Sequence, residues 1–238
     1  MKTLQVILIA LTSLSGCAKK GGNVPAITNN NMTMAKPDSL TYLALGDSYT
    51  IGEAVPQKLS YPYQLMDGLN AQSVHVQPPT IIATTGWTTD NLIDAISRSD
   101  IHAEKYDFVT LLIGVNDQYQ HLSQDNYKVK FTQLLNTAIN FANGNASRVF
   151  VLSIPDYGVT PFANGQDSII GPQIDQFNGI NDSISKNAGV NYLNITDISR
   201  MAATDPSLIA PDGLHPSAKM YALWVNLLEP MVAARLKK

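Results

Sequence analysis

The chain has 238 residues, a formal net charge of −3, and 15% charged against 45% hydrophobic residues. That balance excludes a disordered chain, and with no long Lys/Arg run outside the termini there is no basic footprint for nucleic acid. A single cysteine excludes an internal disulfide and a Cys-based zinc site.

Residues 1–17 read as a processing segment rather than as fold. Lys2 gives a positive start, Leu4–Leu14 is a mostly apolar run too short to span a bilayer, and Leu14-Ser15-Gly16-Cys17 follows. This box resembles the lipobox of bacterial lipoproteins, which implies that Cys17 becomes the mature N-terminus and carries lipid. Acyl chains anchor in proportion to their buried methylenes, at about 0.8 kcal/mol each. Residues 18–38, with Lys19-Lys20-Gly21-Gly22 and Asn29-Asn30-Asn31, are polar and aperiodic and read as a flexible linker. The expectation is an exported protein of a bacterial cell envelope, held to a membrane by an N-terminal lipid anchor and facing the periplasm or the surface. Its functional domain is expected over 39–238.

From Leu40 onward strands alternate with helices. The run Leu40-Thr41-Tyr42-Leu43-Ala44-Leu45 ends in Gly46-Asp47-Ser48, as a buried parallel strand ends at a turn. Pro62, Leu65, Met66 and Leu69 share one helical face. An extended segment closes at Thr80–Ala83, and Thr88-Thr89-Asp90 can cap a helix whose inner face is Leu92, Ile93 and Ile96. Phe108–Ile113 is a strong apolar run before Gly114-Val115-Asn116-Asp117. Tyr127, Phe131, Leu134, Leu135, Ala138, Ile139 and Ala142 keep helical spacing until Asn143-Gly144, a left-handed stop. Val149–Ile154 predicts a fourth strand stopped by Pro155, 156–167 a loop, and Ile170, Ile174, Phe177 and Ile184 a helix. Val190–Ile195 predicts a fifth strand. A last helix is expected from Pro216, with Met220, Leu223, Trp224, Leu227, Leu228 and Met231 packed inward and a late kink at Pro230. Such alternation predicts one α/β domain, a three-layer sandwich around a five-stranded parallel sheet.

Four short segments carry candidate chemistry, and three of them follow predicted strands. They are Gly46-Asp47-Ser48, Gly86 within Thr84-Thr85-Gly86-Trp87, Asn116 within Gly114-Val115-Asn116-Asp117, and Asp212-Gly213-Leu214-His215. Ligand crevices of open α/β sheets lie beyond the carboxyl ends of the strands, which is where these turns fall. By itself Ser48 reads equally as a nucleophile or as the cap of the next helix. In this order the segments resemble the Ser, Gly, Asn and His blocks of the SGNH hydrolases, the GDSL-type serine esterases and lipases, over about residues 40–235. The Asp-Gly-Leu-His-Pro block is similar to that of the lysophospholipase/thioesterase-like branch.

The resemblance implies Ser48 as nucleophile, His215 as base, Asp212 as its orienter, and an oxyanion hole from the Ser48 and Gly86 N–H groups and the Asn116 amide. The chemistry agrees with it. A hydroxyl needs a base to take its proton, the base needs its tautomer fixed, and an oxyanion needs donors already in place. The implied activity is a carboxylic ester hydrolase cleaving acyl or acetyl esters, of a lysophospholipid, a short acyl ester or an acetylated glycan. No cofactor is expected. The alternative is a non-catalytic envelope lipoprotein that binds glycan or lipid on the same fold.

Asp47 and Asp117 are expected to brace their turns. Tyr49, Trp87 and Tyr119 flank the turns and read as substrate-lining or as packing. His75, His102 and His121 are scattered, so no metal site is expected. Ser183-x-x-Lys186 lies within a predicted helix and reads as its solvated face.

Overall fold

Five short strands, each ending in a turn that carries candidate chemistry or supports one that does, form the centre of the molecule. The structure is a computed structural model that describes residues 39–236; the expected signal, the lipid-bearing Cys17 and the linker lie outside the described residues.

Strand β1 (Tyr42–Gly46) is buried at every position, as expected of a strand covered on both faces. It lies between β2 (Thr80–Ala83) and β3 (Phe108–Leu112), followed by β4 (Val149–Leu152) and β5 (Asn191–Leu193), all parallel in the order β2-β1-β3-β4-β5. That is the flavodoxin-like order, with its topological switch between β1 and β3. The ladder is pinned from within by Thr110, whose hydroxyl meets those of Tyr42 (2.8 Å) and Tyr61 (3.2 Å).

The helices, in chain order, are α1 (Ser48–Ile51), α2 (Tyr61–Ala71), α3 (Thr89–Arg98), α4 (Val115–Tyr119), α5 (Gln124–Phe141), α6 (Asp167–Asn187), α7 (Thr196–Arg200) and α8 (Ala218–Leu236). Right-handed crossovers place α2 and α8 together on one face, and α3, α5 and α6 side by side on the other. Thr88 caps α3 in a reciprocal capping box with Asn91. Asn143 and Gly144, both left-handed, end α5. No helix among the described residues is long and apolar enough to cross a membrane.

Three of the boundaries that differ from the sequence reading have a local reason. β4 stops at Leu152 because the Ile154 N–H and C=O are taken by the Asn178 side chain (2.7 and 3.0 Å) instead of a neighbouring strand. β5 ends at Leu193 because the Ile195 and Thr196 N–H groups turn to the Ser153 hydroxyl. Helix α8 begins at Ala218, since Pro216 is occupied in a bridge with Ile209. The inner stripe of α8 is Met220, Tyr221, Trp224, Val225, Leu228 and Val232, while Leu227 faces solvent at 47% exposure. The helix runs through Pro230.

Candidate active site

The turn after β1 is tight. A Cβ on Gly46 would lie 2.1 Å from the Thr50 hydroxyl and 2.4 Å from the Leu112 carbonyl, so only glycine lets α1 fold back over the strand end. Asp47, not Ser48, caps α1: its Oδ1 accepts the Tyr49 N–H at 3.0 Å. The capping reading of Ser48 therefore falls to its neighbour. Ser48 is the first residue of α1, where a backbone N–H has no carbonyl partner within the helix.

Asp47 is fully buried, and its Oδ2 has no hydrogen-bond partner among the described residues. Burial pushes its carboxyl up to about 8, against the Tyr49 N–H and with help from the nearby Asp117 charge. Asp117, also buried, accepts the Thr89 N–H (2.9 Å) and hydroxyl (2.6 Å), which ties the turn after β3 to the start of α3. Burial raises its carboxyl too, opposed by those Thr89 bonds.

The turns after β2 and β3 are joined once more by Asn116, whose Nδ2 donates to the Trp87 carbonyl at 2.9 Å. One amide hydrogen is spent there, which fixes the amide plane and leaves the second for the cleft. Gly86 holds a left-handed φ of +80°, with open space where a side chain would project, so its backbone is bare to the cleft.

The fourth turn is built by its own aspartate. Asp212 Oδ1 accepts the Leu214 and His215 N–H groups, both at 3.0 Å, and Oδ2 meets His215 Nδ1 at 2.6 Å. Burial alone would raise the Asp212 carboxyl. The His215 bond and the two N–H donors outweigh it and hold the carboxyl below its ordinary value. An ionised carboxylate only accepts, so Nδ1 carries a hydrogen, and in the neutral imidazole Nε2 is then the acceptor. The Tyr49 ring packs edge-on against the imidazole, centroids 5.6 Å apart.

Ser48, Gly86, Asn116 and His215 all line one cleft of about 140 Å³. The structure brings these four together from separate segments of the chain, and Asp212 supports the last of them. Tyr49 and Tyr119 line the cleft as expected of substrate-facing residues, but the Trp87 side chain does not: it packs against the core margin and contributes its carbonyl instead. The rest of the wall is Val115, Tyr157, Phe162 and Leu214, with Thr85 at one side. Of these the sequence reading missed Tyr157 and Phe162. Large aromatics inside a Gly-, Pro- and Asn-rich loop at a strand's carboxyl end were the available signal.

Residues set aside earlier stay apart from the cleft. His75, His102 and His121 are exposed, and Lys186 pairs with Asp182 at 2.6 Å on the outer face of α6 rather than with Ser183.

A family model described as GDSL-like lipase/acylhydrolase matches residues 44–223. No curated protein matches the chain by sequence. Among solved structures, an acetylxylan esterase from Geobacillus stearothermophilus is 17% identical, with 84% of this chain and 95% of that one covered and a TM-score of 0.62. The psychrotrophic esterase EstA from a Pseudoalteromonas species is 19% identical over 82% and 98%, at 0.61. A protein titled TesA is 14% identical over 82% and 99%, at 0.66.

Proposed function

This chain belongs to the GDSL-like lipase/acylhydrolase family and is a carboxylic ester hydrolase, and we propose that it cleaves short-chain acyl esters through an acyl-enzyme on Ser48. The observation that carries this reading is one cleft holding a serine hydroxyl, three potential N–H donors and an imidazole oriented by a carboxylate at 2.6 Å.

In this mechanism Ser48 Oγ attacks the ester carbonyl while His215 Nε2 takes its proton. Asp212 keeps Nδ1–H in place and stabilises the imidazolium. The oxyanion receives the Ser48 and Gly86 N–H groups and the free hydrogen of the Asn116 amide. Collapse breaks the ester C–O bond, and the alcohol leaves with the proton from His215. Water then attacks the acyl-serine, giving a proton to His215. Ser48 recovers one from it as the carboxylic acid is released.

Substrate size follows from the walls. A closed apolar cavity of about 150 Å³ takes a benzene-sized group, and a cleft of about 140 Å³ that must also hold the ester group favours a short acyl chain over a long one. A sugar ring would need polar partners for its hydroxyls, and Val115, Tyr119, Tyr157, Phe162 and Leu214 offer mainly apolar surface. Although the acetylxylan esterase shares the fold, this lining favours an acyl chain. The enzyme so read works at a bacterial envelope, held by lipid on Cys17, for which the support is the Leu14-Ser15-Gly16-Cys17 box.

The test is a p-nitrophenyl ester series from acetate to dodecanoate on wild type and Ser48→Ala. Turnover should fall off from the short to the long esters and vanish in the variant, and an alkyl phosphonate should label Ser48 by mass. Full activity in Ser48→Ala would remove the serine from the mechanism. For the anchor, labelled palmitate should enter the wild type and not Cys17→Ala.

A further inference from the structure

The cleft wall formed by the loop after β4 is held from behind by charge. Asp156 begins that loop. It is only 4% exposed, and both carboxyl oxygens and its N–H are engaged: Oδ1 accepts the Gly158 N–H at 2.8 Å, Oδ2 accepts Arg200 Nε at 2.9 Å, and its own N–H donates to the Ser199 hydroxyl at 2.8 Å. Arg200, at the end of α7, forks onward through its second nitrogen group to Asp175 on α6 (2.7 Å) and to the Gly171 carbonyl (3.4 Å). One guanidinium thus ties α7, α6 and the loop base together. Immediately after Asp156 come Tyr157 and, past a turn closed by Thr160, Phe162. Both line the cleft, and with Tyr119 they form a cluster with ring centroids 6.1–6.4 Å apart. The loop also rests on the turn that carries His215, since the Phe162 N–H donates to the Gly213 carbonyl at 3.0 Å.

Resting on the acyl-ester reading above, we infer that Arg200 is a positioning residue that sets acyl-chain selectivity. Through Asp156 it fixes where Tyr157 and Phe162 stand and so how wide the cleft is. It touches no part of the cleft itself. The His215 turn is braced internally by the two N–H bonds to Asp212, so loosening the loop acts on the acyl wall before it acts on the base. Lysine cannot replace the fork, because a single ammonium does not reach two carboxylates in one plane as a guanidinium does.

The experiment measures kcat and KM for p-nitrophenyl acetate, hexanoate and decanoate on wild type, Arg200→Ala, Arg200→Lys and Asp156→Asn. Phe141→Ala, at the far end of α5, serves as a control that lowers the Tm without touching this loop. The expected result is a KM for hexanoate raised roughly fivefold or more in Arg200→Ala with kcat changed much less. The preference for hexanoate over decanoate should flatten, Arg200→Lys should recover little, and Phe141→Ala should keep the wild-type preference at a lowered Tm. An unchanged chain-length profile in Arg200→Ala, or the same flattening in Phe141→Ala, would overturn the inference. Ser48→Ala, run in parallel, separates the two levels. Activity surviving there sinks the acyl-enzyme reading, whereas an inactive Ser48→Ala beside an unaltered Arg200→Ala profile sinks only the role of Arg200.

Discussion

Asp47 stands behind the candidate nucleophile and Asp212 behind the candidate base, each within three residues of the group it serves, yet their surroundings are opposite. Asp47 is wholly buried, has one backbone donor on Oδ1 and, among the described residues, nothing on Oδ2, and is pushed up to about 8. Asp212 keeps about a third of its side chain in solvent, collects three donors and is pulled below its ordinary value. The difference teaches that a carboxyl can serve a site by shape or by charge. Asp47, its carboxyl pushed up by burial, shapes the strand-to-helix turn, and in the proposed mechanism this keeps negative charge away from the oxyanion. Asp212, held below its ordinary value, would in the same mechanism supply the charge that an imidazolium needs.

The same isosteric change at both positions should break the symmetry of the pair most sharply. Asp212→Asn is expected to lower kcat by about ten-thousand-fold, because an amide no longer enforces the Nδ1–H tautomer. Asp47→Asn should lower it far less, and steady-state kinetics on one ester compares the two directly. Next in size, Asn116→Ala should cost about a hundred- to a thousand-fold in kcat, as expected for one lost oxyanion donor, with the folded circular dichroism spectrum retained. An unchanged kcat would take Asn116 out of the mechanism.

Stability against pH sharpens the contrast further, because the two carboxyls act with opposite sign. For Asp47 the folded state binds the proton more tightly than the unfolded one, so its contribution is complete below about pH 4 and is lost as pH rises toward 8. The slope is at most about 1.4 kcal/mol per pH unit. For Asp212 the folded value is the lower one, so its contribution is present above the unfolded value and is lost as pH falls through the folded one. Urea titrations at pH 5, 6, 7 and 8 should show Asp47→Asn gaining on wild type as pH rises; a gap independent of pH would mean that Asp47 is not held neutral. The smallest effect is expected for Thr89→Val. It leaves one Asp117 oxygen without its hydroxyl partner and should cost about 1–3 kcal/mol, read from the urea midpoint.

The architecture was legible because buried parallel strands leave continuous apolar runs, as Tyr42–Gly46 and Phe108–Leu112 do. The four candidate blocks could be picked out because each sets its residue types at fixed spacing within one turn, and Ser48, Gly86, Asn116 and His215 do meet at one cleft. What escaped reading depended on partners far away in sequence. Nothing near Leu152 says that Asn178 will take the polar groups of Ile154. Nothing near Leu227 says which face of α8 meets α2. The bracing role of Asp47 was readable and the structure bears it out through the Tyr49 N–H; what stayed open was whether Ser48 caps as well, because Ser and Asp are both good caps and stand side by side. Trp87 was open between lining and packing for a related reason: its neighbours line the cleft, but its ring packs against the core and its carbonyl accepts the Asn116 amide.

Helix α8 meets α2 on one face of the sheet, and the Tyr221 hydroxyl donates to the Tyr49 carbonyl at 3.0 Å. The turn after β1 and helix α8 are thereby latched together beside the cleft. In the proposed mechanism the attacking group sits in the turn after β1 and its proton acceptor in the turn before α8, so the helix that covers one face of the sheet also steadies the segment that carries the base. Cutting α8 away would strip Trp224, Leu228 and Val232 from the core together with that support.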